Sequence, residues 1–359
     1  MNVLAIVQNM DHDDPFGGFI FDWMIALSKK VDRLVILTLK KNVEFYDVPN
    51  NVDIYSLGKE KYTGFSCKLY YLYNWHWNIK QILKKEKIDV VFTHMTPTYS
   101  VLAYPYFFRK KIPIVTWFLH PKLSAILKLA HYCSTKVVSA TLTSYPYKKD
   151  KLVTIDHGIN TKTFSYEETN NNKEKVILSV GRLSPIKDYI TLLKAVSLGN
   201  KQFKLFIIGS PTNNKDKKYK EELLGIIRIL NLEENVKILP AMTMKDLSYW
   251  YRQCSVLVNA TPDGSFDKVV LEAMACKKLV LVTSNNFQEI LDPYYNDLSF
   301  KFGNYNDLHD KLVSIFSLPL NKRDQITLYL QQKVIEKYSL DSLMGKLVEV
   351  FESVNSTNI

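Results

Sequence analysis

The sequence predicts two similar α/β domains, each an open, doubly wound parallel sheet with helices on both faces. Three observations carry that expectation. The chain has 359 residues, which suits two domains at roughly 100–200 residues each. Short runs rich in Val and Ile, apolar on both faces, alternate with amphipathic helical stretches, as in buried parallel strands joined by crossover helices. The series occurs twice, with a polar break between the two.

In the first half the strand runs are Val3–Val7, Leu34–Leu39, Asp89–Thr93, Ile112–Phe118 and Lys136–Ala140. In the second they are Val176–Val180, Lys204–Ile208, Val236–Leu239, Val256–Val258 and Leu279–Val282. The helices between them show apolar stripes, such as Ile20, Trp23, Met24 and Leu27. The seam is placed between Ile155 and Lys175, where Thr169-Asn170-Asn171-Asn172-Lys173 breaks all periodicity. That gives an N-terminal domain over 1–160 and a C-terminal domain over 161–338. A last helix, from about 339, carries the stripe Leu340, Leu343, Met344, Leu347, Phe351 and Val354.

Composition narrows the class. With 47% apolar and 23% charged residues, the chain is globular, and disordered and collagen-like classes are excluded. The formal charge is +11, and it is uneven. Residues 1–160 hold 21 Lys and Arg against 13 Asp and Glu. A basic surface attracts nucleic acid, acidic lipid or phosphorylated ligands, or is merely solvated. Cys67, Cys133, Cys254 and Cys276 form no C-x-x-C and no zinc spacing. The cysteine usage and an N-terminus without a charged signal region read as a reduced, cytoplasmic protein. The longest apolar stretch, Tyr99 to Phe108, is half a membrane span.

Ligands of parallel α/β sheets bind at the carboxyl ends of the strands, and three such loops stand out. The first holds Gly17-Gly18 before a helix, where backbone N–H groups can approach a phosphate. Its Asp11, Asp13 and Asp14 could hold a cation, but a solvated loop is the favoured reading. The second is Gly181-Arg182-Leu183-Ser184-Pro185-Ile186-Lys187. Its Arg and Lys suit a diphosphate, one through bidentate hydrogen bonds and the other as a point charge. The third, Asp263-Gly264-Ser265-Phe266-Asp267-Lys268-Val269-Val270-Leu271-Glu272, enters a helix expected to carry Glu272 in its first turn.

Together these segments resemble glycosyltransferase family 4, the retaining nucleotide-sugar transferases of the GT-B fold. The most specific elements are Gly-Arg-Leu-Ser-Pro-Ile-Lys and, about 90 residues later, Leu-Glu-Ala-Met-Ala-Cys. Asp156-His157-Gly158-Ile159-Asn160, followed by Phe164, is similar to the family's interdomain segment. The resemblance implies two Rossmann-like domains facing a cleft, acceptor on the first and donor on the second. The last helix would cross back to the first domain. By position, Arg182 and Lys187 would hold the donor diphosphate and act in catalysis, and Glu272 would hold the ribose. His120 matches the histidine beside the reacting sugar. Gly17, Gly18, Gly181, Asp263, Gly264, Ser265, Asp267, Lys268 and Val269 complete the donor-binding set. The donor would be UDP- or GDP-linked, the acceptor a saccharide or lipid-linked glycan, with no cofactor, no metal and no nucleic-acid partner. One departure is visible: the family's first glutamate of a spaced pair falls on Gly264, with Asp263 one residue off register.

Residues 62–77 are strongly aromatic. As a helix from Leu69 to Lys87, one face is Leu72, Trp75, Ile79, Ile82 and Leu83. The other is Tyr70, Tyr73, Trp77, Lys80, Lys84 and Lys87. Aromatics running into lysines suit an anionic membrane interface, but packing on a neighbouring helix or loop, with the lysines merely solvated, is the favoured reading. Two rival functions stay open at this point. One is a sugar-nucleotide epimerase or hydrolase on the same architecture. The other lies outside enzymes: a nucleic-acid binder, motivated by the charge, or a non-catalytic scaffold that kept the fold and lost the first glutamate.

Overall fold

A computed structural model describes residues 1–42, 47–61, 67–120, 122–167 and 175–356, with the side chains of residues 67 and 68 not described. The chain forms two compact units, Met1–Gly158 with Leu340–Ile359, and Ile159–Ser339. The polar run Thr169–Lys173 and the aromatic segment 62–66 lie outside the described residues.

Unit 1 contains β1 (Asn2–Asp11), α1 (Phe19–Ser28), β2 (Arg33–Asn42), β3 (Val52–Ser56), α2 (Cys67–Lys85) and β4 (Val90–His94). It continues through α3 (Pro97–Phe107), β5 (Ile114–Trp117), α4 (Ala125–Cys133), β6 (Lys136–Ser139) and β7 (Leu152–Thr154). Its sheet has seven strands in the order β3-β2-β1-β4-β5-β6-β7, and every described pairing is parallel. Alternate residues of one strand feed opposite faces, because successive side chains project to opposite sides. Val3, Ala5 and Val7 join α1 and the last helix on one face. Leu4 and Ile6 join α2 and α3 on the other. Buried hydroxyls of Thr93, Ser100, Thr116 and Ser134 form a chain with links of 2.6–2.8 Å that ties β4, α3, β5 and the end of α4 together. Each polar group there finds a partner, as burial requires.

Unit 2 contains β8 (Lys175–Val180), α5 (Tyr189–Ser197), β9 (Phe203–Ile208), α6 (Asn214–Ile229), β10 (Val236–Leu239) and α7 (Met244–Gln253). Then come β11 (Val256–Asn259), α8 (Lys268–Ala275), β12 (Leu279–Val282), α9 (Gln288–Leu291), α10 (Tyr295–Leu298), α11 (Tyr305–Phe316) and α12 (Leu320–Lys337). The five strands run β10-β9-β8-β11-β12, again parallel. The order reverses between β8 and β11, so a crevice forms at their carboxyl ends.

The last helix, α13 (Leu340–Ser356), belongs to unit 1. All six residues of its predicted stripe are buried there. Lys346 on α13 pairs with Asp156 at 2.7 Å. Gly158 must be small, because a Cβ there would stand 2.7 Å from Leu343 Cβ.

The structure corrects the reading of α2. Trp75, Ile79 and Ile82 are buried as expected, and Leu83 is half-buried, but Leu72 is 48% exposed. Leu72 lies three residues from Trp75, but it is not part of the core that Trp75, Ile79, Ile82 and Leu83 form with α3. Lys87 lies beyond the end of the helix.

Candidate active site

The central feature of unit 2 is an ion pair at the carboxyl ends of β8 and β11. Lys187 sits in a single turn after β8, and its Nζ lies 2.6 Å from Asp267 Oδ2, the residue that precedes α8. The same carboxylate oxygen accepts hydrogen bonds from Asn259 Nδ2 at 2.8 Å and Thr261 Oγ1 at 2.7 Å. Ser265 Oγ reaches Oδ1 at 3.0 Å. Lys187 also donates to Thr261 Oγ1 at 3.3 Å. Burial alone would raise the Asp267 carboxyl, but the Lys187 ammonium and these hydrogen bonds hold it below the usual carboxylate range.

Two glycines make this geometry available. The Lys187 stem lies over Gly181, where a Cβ would stand 3.1 Å from its Cε. Tyr189, fully buried, donates its hydroxyl to the Gly181 carbonyl at 3.0 Å. Gly209, after β9, comes closer still: a Cβ there would fall 1.8 Å from the Gly181 oxygen. Only a residue without a side chain permits that approach.

Arg182, which follows Gly181, is exposed and lies within the field of Asp216. Gly264 has φ +87°, with open space around it. That left-handed backbone disfavours a glutamate, so the departure from the family pattern is built into the loop. Asp263 turns away from Lys187. Its carboxylate accepts from the backbone N–H of Asn285 at 2.7 Å and from Asn285 Nδ2 at 2.9 Å. It lines a cavity of about 640 Å³ with Tyr295, Lys301 and Lys311. Val269 is partly buried and packs on the core of unit 2.

Glu272 is not in the first turn as expected, since α8 begins at Lys268 and places it one turn further in. Its Oε2 accepts from the Tyr251 hydroxyl at 2.7 Å. Burial raises the Glu272 carboxyl, against the opposing pull of Tyr251 and Lys268. Burial also pushes the Lys268 ammonium down to about 8, with Glu272 opposing. The two are one helical turn apart, within reach of each other's field. Expected for the ribose, Glu272 therefore has one oxygen already committed within the unit.

The expected residues of unit 1 lie in separate loops. Gly17 and Gly18 follow β1, but their amides are not open. Gly17 N–H donates to Asp14 Oδ1 at 2.8 Å and Gly18 N–H to the Asp14 carbonyl at 2.8 Å. Asp11 pairs with Lys40 at 2.8 Å. Among the described residues no group of three or more His, Cys, Asp or Glu side chains could hold a metal ion. His120, past the end of β5, is exposed, and its Nδ1 accepts from the Lys122 amide at 3.0 Å. A cavity of about 410 Å³ opens at the ends of β1 and β4, lined by Gln8, Asn9, Phe16, Lys40, Lys59 and His94, among others.

Sequence reasoning missed Asn259, Thr261 and Tyr251. Asn259 was detectable as the polar residue ending an otherwise apolar strand, and Thr261 as the polar residue two positions beyond it. Tyr251, on α7, gave no signal, because its partner is 21 residues away.

In chemical terms the end of β8 and the start of α8 bring Lys187 against Asp267, with Glu272 in the field of both Asp267 and Lys268, while Arg182 lies in the field of Asp216. The Lys187 charge is partly neutralised by Asp267. The class this defines is an enzyme that handles a phosphorylated ligand on a doubly wound sheet.

Comparison with known proteins makes the class specific. Residues 160–333 match the family model described as glycosyl transferases group 1. An uncharacterized glycosyltransferase of Methanocaldococcus jannaschii is 26% identical over 292 residues, covering 77% of this chain and 76% of its own. A Campylobacter jejuni 4-alpha-N-acetylgalactosaminyltransferase, named as acting on a diphospho-undecaprenol-linked glycan, is 34% identical over 114 residues, 32% of this chain and 29% of its own. Among solved structures, Anabaena HepE in complex with UDP and glucose superposes with a TM-score of 0.76 at 17% identity, covering 98% of this chain and 100% of that one. Sucrose-phosphate synthase from Thermosynechococcus elongatus gives a TM-score of 0.79 at 16% identity, covering 99% and 100%. Unit 2 carries the match to the glycosyl transferases group 1 model, and the two parallel-sheet units are of GT-B type. It is a glycosyltransferase that uses a nucleotide sugar.

Proposed function

We propose that this enzyme moves a sugar from a UDP- or GDP-linked donor to a hydroxyl of a saccharide or lipid-linked acceptor, with retained configuration. Its place would be in glycan, glycolipid or cell-surface polysaccharide synthesis. The observation that carries this is the Lys187–Asp267 pair at the strand reversal of unit 2, where the loop after β8, which also holds Arg182, meets the start of α8. A glycosyl–phosphate bond breaks as charge develops on the diphosphate, and preorganised cations stabilise that charge. Arg182 and Lys187 supply it, so the donor reaction needs no metal or other cofactor. The UDP named with HepE and the match of unit 2 to the group 1 model support a nucleotide diphosphate as the ligand. The unit 1 cavity, with its amides, lysines and Phe16, suits the hydroxyls and ring faces of a saccharide acceptor, and His120 is the residue of unit 1 assigned to the reacting sugar.

Thermal-shift screening against nucleoside diphosphates and their sugars tests this reading. One base family should stabilise the protein, by about 2.7 kcal/mol at 100 times Kd. A flat response to the whole panel would favour a scaffold.

The acceptor reading extends to a membrane. No helix among the described residues is long and apolar enough to cross one. Leu69, Leu72, Tyr73 and Trp77 on α2, and Ile126, Leu129 and Tyr132 on α4, are nonetheless exposed. Lys80, Lys84, Lys122 and Lys128 are exposed with them. Apolar and aromatic side chains flanked by lysines suit the anionic cytoplasmic leaflet, and the enzyme would work there as a peripheral cytoplasmic protein. Co-sedimentation with liposomes should rise with the fraction of anionic lipid. No binding to either neutral or anionic vesicles would end the idea.

A further inference from the structure

The Lys187–Asp267 pair places an anion where the proposed donor brings more anion. Lys187 is the residue read above as a diphosphate ligand, and the inference rests on that reading. An ammonium has three N–H bonds. Two of them are taken, by Asp267 Oδ2 at 2.6 Å and Thr261 Oγ1 at 3.3 Å. One is left for a phosphate oxygen.

The carboxylate is not placed to swing aside when that oxygen arrives. Asn259, Thr261 and Ser265 hold it from three directions at 2.7–3.0 Å. A charge so tethered, in a half-buried site with Lys187 15% and Asp267 22% exposed, is screened far less than one in bulk water.

We propose that Asp267 is a specificity-determining residue that tunes the crevice to the charge of the donor's diphosphate. By neutralising part of Lys187, it leaves enough attraction to hold a sugar nucleotide, whose terminal phosphate is esterified. The free nucleoside diphosphate carries one more ionisable oxygen on that phosphate, and the fixed carboxylate repels it. The site therefore discriminates against its own product.

The test is calorimetric. UDP and UDP-glucose, and GDP and GDP-mannose, are titrated into the wild-type protein and into Asp267→Asn and Asp267→Ser. Asn and Ser both start helices well, so each keeps the beginning of α8 intact and one covers for the other should it fold poorly. Removing the carboxylate should tighten the free diphosphate about tenfold and its sugar derivative threefold or less. An unchanged ratio between the two ligands in the folded variants would overturn the inference, as would a parallel loss of both, which marks a structural role. Failure of the wild-type protein to bind any of the four is a different result, and it overturns the donor assignment instead.

Discussion

Lys187→Ala should lose sugar transfer by more than tenfold and should also destabilise unit 2. Removing one preorganised group that faces a developing anion commonly costs about 3–4 kcal/mol of barrier. Here the loss has a second component. Without Lys187, the Asp267 carboxylate remains half-buried with no cation beside it, and breaking such a pair from one side costs about 3–5 kcal/mol. The hydrogen bonds from Asn259, Thr261 and Ser265 offset part of that. Arg182→Ala is the informative contrast. Arg182 is exposed, so its removal should cut transfer at least tenfold while stability stays within about 0.5 kcal/mol. Steady-state transfer and urea denaturation on both variants separate the two components. Adding Asp267→Asn to Lys187→Ala should restore much of the stability and little of the transfer. Wild-type turnover by folded Lys187→Ala or Arg182→Ala would remove those residues from the reaction.

Gly209→Ala should be the most damaging conservative change in unit 2. The new methyl would lie 1.8 Å from the Gly181 carbonyl oxygen, and that atom belongs to backbone, not to a flexible side chain. The ends of β8 and β9 would have to separate, although Gly209 and Gly181 sit at adjacent strand ends joined by parallel pairing up to Ile208. The hydrogen bond from the Gly181 amide to the Ile208 carbonyl, 3.0 Å long, would be strained with them. We expect a loss above about 3 kcal/mol, in the range reserved for core disruption, and nucleotide binding should fall with it because Gly181 carries the Lys187 stem. Gly225→Ala is the control: a Cβ there meets nothing within 4 Å. Urea midpoints for the two variants should diverge sharply, and equal midpoints would contradict the packing account.

Much of the fold was legible because its strands are apolar on both faces. Val236–Leu239 and Leu279–Val282 begin and end where the sequence places them. The strands that escaped were the outermost of the unit 1 sheet. In β3, only Val52 is buried and the rest of Val-Asp-Ile-Tyr-Ser is half-buried. In β7, no residue is buried. An edge strand with one wet side need not carry a continuous apolar run, so neither gave the pattern that marks a central strand.

The candidate site was legible as a set of residue types but not as a set of contacts. Sequence order placed Arg182, Lys187 and Glu272 at strand ends of one sheet. It could not show that Asp267 is 80 residues from Lys187 yet bonded to it, or that Tyr251 occupies an oxygen of Glu272. Those pairings depend on which strands lie side by side. Gly264 is a middle case. The missing glutamate was visible as a departure, while its reason, a backbone at φ +87°, belongs to the folded loop.

The most direct test of the central claim is a calorimetric titration of UDP and GDP into wild-type protein and Arg182→Ala. The donor-crevice account predicts that one of the two nucleotides binds wild type with one-to-one stoichiometry and binds folded Arg182→Ala at least tenfold more weakly. Equal affinity for both proteins, or no binding of either nucleotide by wild type, would contradict it.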